Sequence, residues 1–403
     1  MDIARARQHL SRGREGRSCI AVTHPDSVTP AAARNLIVLT ATLLFAHGQT
    51  TERMKESTER LARALGFRAT LFPYWGELII RIDGKAGQRY EVAFAEPAGI
   101  DMAKVAATVN LVDQVCAGLV TPRAAQSVLE TIERLPPVSL VRLTMLAAAG
   151  AGALGVIFGA VHPITLILIA FSAGAGACLR RWLEGISHDP FVQPFVAALL
   201  AGAIGAIAVH YQLGTAQRLI AVCPCMVLVP GPHLLNGAID LARGRIALGA
   251  SRIGYASLII AMICTGLLVG LSLGGITLPV SAPSHPVPFG YDVIAAGVAV
   301  AAYGTFFAMP WRMLPVPILI GMLAHAVHWL AISVAGYSME TGALLACLLV
   351  GIIVTSIADR LRLPFAAVAF ASVVSLIPGV FLFRMGSGVL DVVVLGERAS
   401  TNL

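Results

Sequence analysis

Lysine disappears from this chain after Lys104, and charge of either sign is scarce: 13% of the 403 residues are Asp, Glu, Lys or Arg. An ordinary soluble domain carries about 25%. With a mean hydropathy of +0.79, the composition excludes a single water-soluble globular unit. The scarcity is uneven. Residues 1–137 hold 17 basic and 14 acidic side chains, whereas residues 138–403 hold 12 and 8. An ordinary soluble segment is therefore joined to a membrane segment, with the boundary at Pro136-Pro137. Dense basic runs are also missing. The net charge of +7 is spread over both parts, and the only cluster is Arg5, Arg7, Arg12, Arg14 and Arg17, in a tail over residues 1–28. Nucleic acid is excluded as a partner on that ground. The same 28 residues contain no apolar core of signal-peptide length, so the soluble part is expected to stay in the cytoplasm. The seven cysteines are scattered through apolar runs and form no disulfide framework. No His, Cys and carboxylate set has metal-ligand spacing, so neither a metal nor a cofactor is expected.

Residues 29–137 read as a small α+β domain. Thr29-Pro30 opens a helix that ends at Gly48, and a second helix runs from Thr50 to Leu65, with Gly66 as its stop. Three β-like runs follow at 68–74, 77–83 and 89–96. The alternation of Leu78, Ile80 and Ile82, and of Tyr90, Val92 and Phe94, predicts one covered face. Two more amphipathic helices, 101–119 and 122–135, complete the domain. His47 beside Thr50, Thr51 and Glu52 offers a nucleophile with its base. Helix capping by Thr50 or Thr51, with Glu52 in the first turn, accounts for the same residues.

From Leu140 onward, nine apolar runs have spanning length: 140–161, 163–180, 190–210, 219–241, 247–273, 289–310, 314–336, 340–358 and 365–386. Several are rich in Gly and Ala, which suits a compact polytopic bundle and permits self-association into a homo-oligomer. With the soluble domain cytoplasmic, Arg142, Arg180, Arg181, Arg243, Arg245, Arg252, Arg312, Arg360 and Arg362 fall on the inner side. Only Arg218, Arg384 and Arg398 fall on the outer side, which satisfies the positive-inside rule.

Two segments align without a gap, Val227-Leu-Val-Pro-Gly-Pro-His-Leu-Leu-Asn236 and Ser375-Leu-Ile-Pro-Gly-Val-Phe-Leu-Phe-Arg384. Each puts Pro-Gly inside a span. The two spans are the fourth and the ninth, so they run in opposite directions, as in the inverted repeats of secondary transporters. Proline removes a helical hydrogen bond and frees backbone groups for a solute. Pro230, Gly231, His233 and Asn236 in the first copy, and Pro378, Gly379 and Arg384 in the second, are the candidate solute contacts. Arg384 can hold a carboxylate bidentately. Asp240, Asp391, His325 and His328 are the candidate proton-coupling groups. Asp240 either holds an ammonium, couples protons, or lies in the interface beside Arg243. His325 and His328 share one helix face, as proton relay or packing residues. Cys223-Pro-Cys225 is read as packing.

The Ala46-His-Gly-Gln-Thr-Thr-Glu-Arg53 helix junction, the Ala62-Arg-Ala-Leu-Gly66 helix end and the paired Pro-Gly motifs, in this order, resemble the threonine/serine exporter family from about residue 30 onward. The resemblance implies a bacterial inner-membrane exporter of small amino acids, chiefly threonine and serine, driven by the proton motive force. Two-subunit relatives are linked to export of the dicarboxylate succinate, and the amino-terminal domain of the family has been likened to hydrolases. A membrane-tethered hydrolase is therefore the rival reading. The family has two five-helix repeats, here 138–275 and 289–403. The count of nine spans leaves the second repeat without its last helix, which would begin near residue 395.

Overall fold

The computed structural model describes residues 29–376, except 86, 98, 161, 188, 214–217, 276–286 and 362–364. Pro378, Gly379, Arg384 and Asp391 lie outside the described residues. In chain order, the first part contains α1 (Pro30–Ala46), α2 (Thr51–Ala64), β1 (Arg68–Pro73), β2 (Gly76–Gly84), β3 (Gly87–Ala95), α3 (Met102–Cys116) and α4 (Pro122–Glu133). Thr29 caps α1 through Ala32, Asp101 caps α3 through Lys104, and Thr121 caps α4 through Ala124. Thr50 occupies the N-cap position of α2 but makes no side-chain cap bond. The capping role expected of Thr50 or Thr51 is therefore not made by either hydroxyl.

The sheet order is β1-β2-β3, antiparallel throughout. Leu78, Ile80 and Ile82 are buried, as the alternation on β2 predicts. The expectation for β3 is corrected. Tyr90 pairs with Arg81, Val92 with Ile79 and Phe94 with Glu77, so these three share the face opposite to Leu78, Ile80 and Ile82. They are 61%, 67% and 75% exposed. Alternation along a strand reveals that two faces differ, but only the register with its neighbour decides which face turns inward.

The second part contains α5 (Leu140–Ile157), α6 (Pro163–Glu184), α7 (Val192–His210), α8 (Leu219–Met226), α9 (Gly231–Ala242), α10 (Ile246–Ser272), α11 (Phe289–Phe306), α12 (Pro315–Ser333), α13 (Met339–Leu361) and α14 (Phe365–Val373). Seven of these helices are long and apolar enough to cross a bilayer. The run at 219–241 is not one straight span: α8 and α9 meet at a 53° bend across residues 227–230. The ninth expected run is described only through α14 and the turn after it. The protein is an α-helical polytopic membrane protein preceded by a small α+β segment.

Small residues set the helix spacing. A Cβ on Gly266 would lie 2.3 Å from the Phe195 carbonyl oxygen, and one on Gly270 would lie 2.3 Å from that of Leu199. α10 and α7 therefore touch backbone to backbone, a contact that only glycine allows. The core does not stop at the boundary between the two parts. One continuous apolar cluster includes Leu44, Phe45, Met54 and Met102 from the first and Phe307 and Phe370 from the second. The Met102 N–H donates to the Phe307 carbonyl at 2.9 Å. Arg142, at the start of α5, donates to Thr305 and to the Met309 carbonyl at the end of α11. The start of α5 and the end of α11 thus face the α+β segment together, and we call this the domain side.

Candidate functional site

The break between α8 and α9 follows from three residues. Pro224 lies inside α8 and Pro230 and Pro232 flank Gly231. Pro232 has no N–H to return to the Leu228 carbonyl. The Gly231 N–H turns to the Val229 carbonyl at 2.9 Å, so the Val227 carbonyl also leaves the helical ladder. Gly231 itself sits against the Phe370 ring of α14, where a Cβ would come within 1.6 Å of the ring. Phe370 also contacts Phe307, with ring centroids 6.1 Å apart. The broken span, α14 and the end of α11 therefore meet at one aromatic contact.

Beside this break lies a cavity of about 490 Å³, within the range of small-molecule sites. Its walls come from α5, α6, α7, α10, the α8–α9 break and the end of α11, and residues 99–101 of the α+β segment border it. Pro230 and His233 line it, as do Val227, Leu228 and Pro232. The His233 ring meets Tyr255 edge-on at 5.3 Å, and Tyr255 packs on Trp75 from the turn between β1 and β2 at 4.8 Å. The α+β segment thereby fixes a wall of the cavity.

α9 carries His233, Asn236 and Asp240 on one buried stripe, yet the stripe serves two places. His233 faces the cavity. Asn236 donates to the Gly48 carbonyl at 3.1 Å, and its own carbonyl oxygen is buried without a hydrogen-bond partner. Asp240 accepts from Thr51 at 3.0 Å and from Arg245 at 3.1 Å, and Arg252 approaches within 3.2 Å. Neither Asn236 nor Asp240 is among the residues lining the cavity. Both hold the junction between α2 and the membrane helices. The partners of Asp240 are Arg245 and Arg252 rather than Arg243. Arg245 also pairs with Glu52, which holds the Glu52 carboxyl below its usual range. No hydrogen bond joins His47 to Thr50 or Thr51 among the described residues, because Thr51 is turned to Asp240. Burial, followed by repulsion from Lys104, lowers the His47 pKa to about 4.

A second polar cluster is sealed inside the other half of the bundle. His325 Nδ1 lies 2.9 Å from Asp292 of α11, and its Nε2 lies 2.7 Å from Ser375 Oγ. All three are buried. Asp292 sits in the first turn of α11, where a carboxylate is favoured by the helix amides. Ser375 lies in the turn just after α14, three residues before Pro378. His328, the other histidine on this face, has its ring centroid 6.1 Å from that of His325. Asp292 and Ser375 are absent from the sequence-based set. Asp292 carried a readable signal, since an acidic residue within an apolar run is a functional candidate by default. The partnership with Ser375 had none. Cys223 and Cys225 are buried packing residues of α8.

An interrupted span beside a cavity, with a buried cluster of Asp292, His325 and Ser375 elsewhere in the helices, belongs to a polytopic membrane protein. Comparison with known families agrees. The family profile described as "Putative threonine/serine exporter" matches residues 35–274, and a second, described as "Threonine/Serine exporter, ThrE", matches residues 292–392. The chain belongs to the threonine/serine exporter family. It is 24% identical over 300 residues to the "Threonine/serine exporter" of Corynebacterium glutamicum, covering 70% of this chain and 60% of that protein. It is 25% identical over 296 residues to the "Probable threonine/serine exporter" of Mycobacterium tuberculosis (strain ATCC 25618 / H37Rv), covering 70% and 55%. The chain thus spans a little over half the length of these curated relatives. No solved structure matches it.

Proposed function

We propose that this protein is a secondary active transporter that exports small amino acids of the threonine and serine type across the bacterial inner membrane, coupled to protons. The observation that carries the reading is the cavity at the α8–α9 break, lined by His233 and by Val227 and Leu228, whose carbonyls have left the helical ladder. In this reading the sequence motif Pro378-Gly379 is the counterpart of Pro230-Gly231 in an inverted second repeat, and Arg384 is a further candidate contact for the solute. With the α+β segment in the cytoplasm, the cavity opens inward and export loads from that side.

Asp292, His325 and Ser375 hold the coupling proton. A neutral His325 donates from Nδ1 to Asp292 and accepts from Ser375 at Nε2. A protonated ring donates at both nitrogens, so the Ser375 hydroxyl must rotate and give its own proton elsewhere. Protonation in one repeat is in this way read out three residues before the second Pro-Gly. His328 and Asp391 extend the relay. Asp240 acts in this scheme through the junction with α2.

The test is threonine efflux from proteoliposomes holding the full chain, with and without an imposed pH gradient. Efflux is expected to follow the gradient in the wild type and to lose that dependence in Asp292→Asn and His325→Gln. Gradient-independent flux in the wild type would refute the coupling. Flux of succinate with none of threonine or serine would refute the solute class.

A further inference from the structure

Ser172, Gly176, Arg180 and Glu184 recur at four-residue intervals along α6 and all line the cavity at the break, with the Glu184 carboxylate held by Arg181. The Arg180 guanidinium stacks on the Phe306 ring, 4.6 Å from its centroid, and its Nε is buried without a hydrogen-bond partner. The adjacent Arg181 is already committed: it bonds Glu184 at 2.8 Å and reaches the Val138 carbonyl. Ser172 is buried, and its hydroxyl also has no partner. Arg180 and Ser172 thus line one cavity, and the Nε of one and the hydroxyl of the other have no partner, which a buried polar group seldom tolerates.

The same cavity holds the complementary chemistry. The Leu228 carbonyl faces a proline where its helical donor would be, and the Val227 carbonyl has lost the Gly231 N–H to Val229. Both residues line the cavity. The α6 wall thus carries the Arg180 cation and the Ser172 hydroxyl beside the mutually paired Arg181 and Glu184, and the wall at the break carries two residues whose carbonyls are uncharged acceptors. Stacking on Phe306 orients the guanidinium plane without neutralising it, leaving its edge for a planar anion.

We propose that Arg180 is the carboxylate anchor of this cavity, with Ser172 as a second donor and the Val227 and Leu228 carbonyls receiving an ammonium, so that the ligand is a free α-amino acid with a short side chain. Gly176, between the two donors, leaves the room that such a ligand needs. The anchor lies in the first half of the membrane part and is separate from Arg384. The proposal rests on the reading of the cavity as the solute site.

The experiment measures binding of L-threonine and of L-threoninamide, which lacks the carboxylate, to the purified full-length protein in detergent. The wild type is expected to hold threonine at least about tenfold more tightly than the amide, the discrimination that one charge-assisted hydrogen bond supplies. Arg180→Ala is expected to weaken threonine by a similar factor while leaving the amide unchanged. Arg181→Ala should move neither, and Arg180→Lys should restore part of the loss. Size-exclusion profiles and melting curves confirm that each variant is folded, and Arg180→Gln replaces Arg180→Ala if the latter is not.

Equal affinity of the wild type for threonine and its amide overturns the proposal, as does wild-type threonine affinity in folded Arg180→Ala. Threonine efflux from proteoliposomes separates the two claims. Efflux by Arg180→Ala at the wild-type rate overturns the anchor and leaves the exporter reading standing. No efflux of threonine or serine by the wild type overturns the exporter reading and the proposed ligand class with it.

Discussion

Replacing Asp240 with alanine should be one of the most damaging single changes at the junction between α2 and the membrane helices. Asp240 and Arg252 are each 1% exposed, and the carboxylate oxygens also meet Thr51 and Arg245. Without Asp240, Arg252 keeps only the Phe45 ring, 5.4 Å from its guanidinium carbon, and the Thr51 hydroxyl loses its acceptor. Removing one partner of a buried pair typically costs about 3–5 kcal/mol, because the remaining charge is stranded. The contrast is Glu52→Ala. That carboxylate also pairs with Arg245, but its side chain is 52% exposed, and such a pair is worth roughly 1 kcal/mol or less. A double change, Asp240→Leu with Arg252→Met, removes both charges and should recover most of the loss. Denaturant unfolding of the detergent-purified protein reports the energies, and proteolysis at residues 136–139 reports whether the α+β segment stays docked. An Asp240→Ala protein as stable as Glu52→Ala, or a double variant weaker than the single, would refute the argument.

Other expectations follow from equally local causes. Gly231→Ala drives a methyl group into the Phe370 ring and should cost about 1–3 kcal/mol by overpacking, with transport lost and partly restored by Phe370→Leu. Gly270→Val forces α10 away from the Leu199 carbonyl; a lowered melting temperature is expected, whereas the exposed Gly254, which has nothing within 4 Å, should accept alanine without loss. His47 gives a pH signature. Its pKa falls from 6.5 to about 4 on folding, so the unfolded chain binds the extra proton between those values. The stability that His47 contributes is therefore complete above pH 6.5 and declines as the pH drops toward 4. Below that it is flat, at a loss of roughly 3 kcal/mol. His47→Gln should flatten that window in an unfolding series from pH 7 to 4; an unchanged slope would show that the ring is not held neutral.

Much of the molecule was legible before any coordinates. The spans show themselves because a run of apolar residues must be about 20 long to cross hydrocarbon, and the helix starts at Pro30, Pro122, Pro163 and Pro315 carry proline where no N–H is needed. The interruption at Pro230-Gly231 is equally local. A proline cannot supply the missing bond, whatever surrounds it.

What the residues do for one another could not be read in this way. His233 and Asn236 were read as solute contacts and Asp240 as a proton-coupling group, yet the 53° bend and the docked α2 leave His233 at the cavity and put Asn236 and Asp240 at the junction. Arg180 counted as one inner-side arginine among nine, and only its place over the Phe306 ring, against the bonds of Arg181 to Glu184 and the Val138 carbonyl, distinguishes the two. Asp292, His325 and Ser375 come from α11, α12 and the turn after α14, separated by 33 and 50 residues. Composition and periodicity act over a few turns of chain, and so they determined the spans, the break and the α+β segment. The partners of a buried charge are chosen by how helices pack, which is a property of the whole chain, and tertiary structure alone decided them.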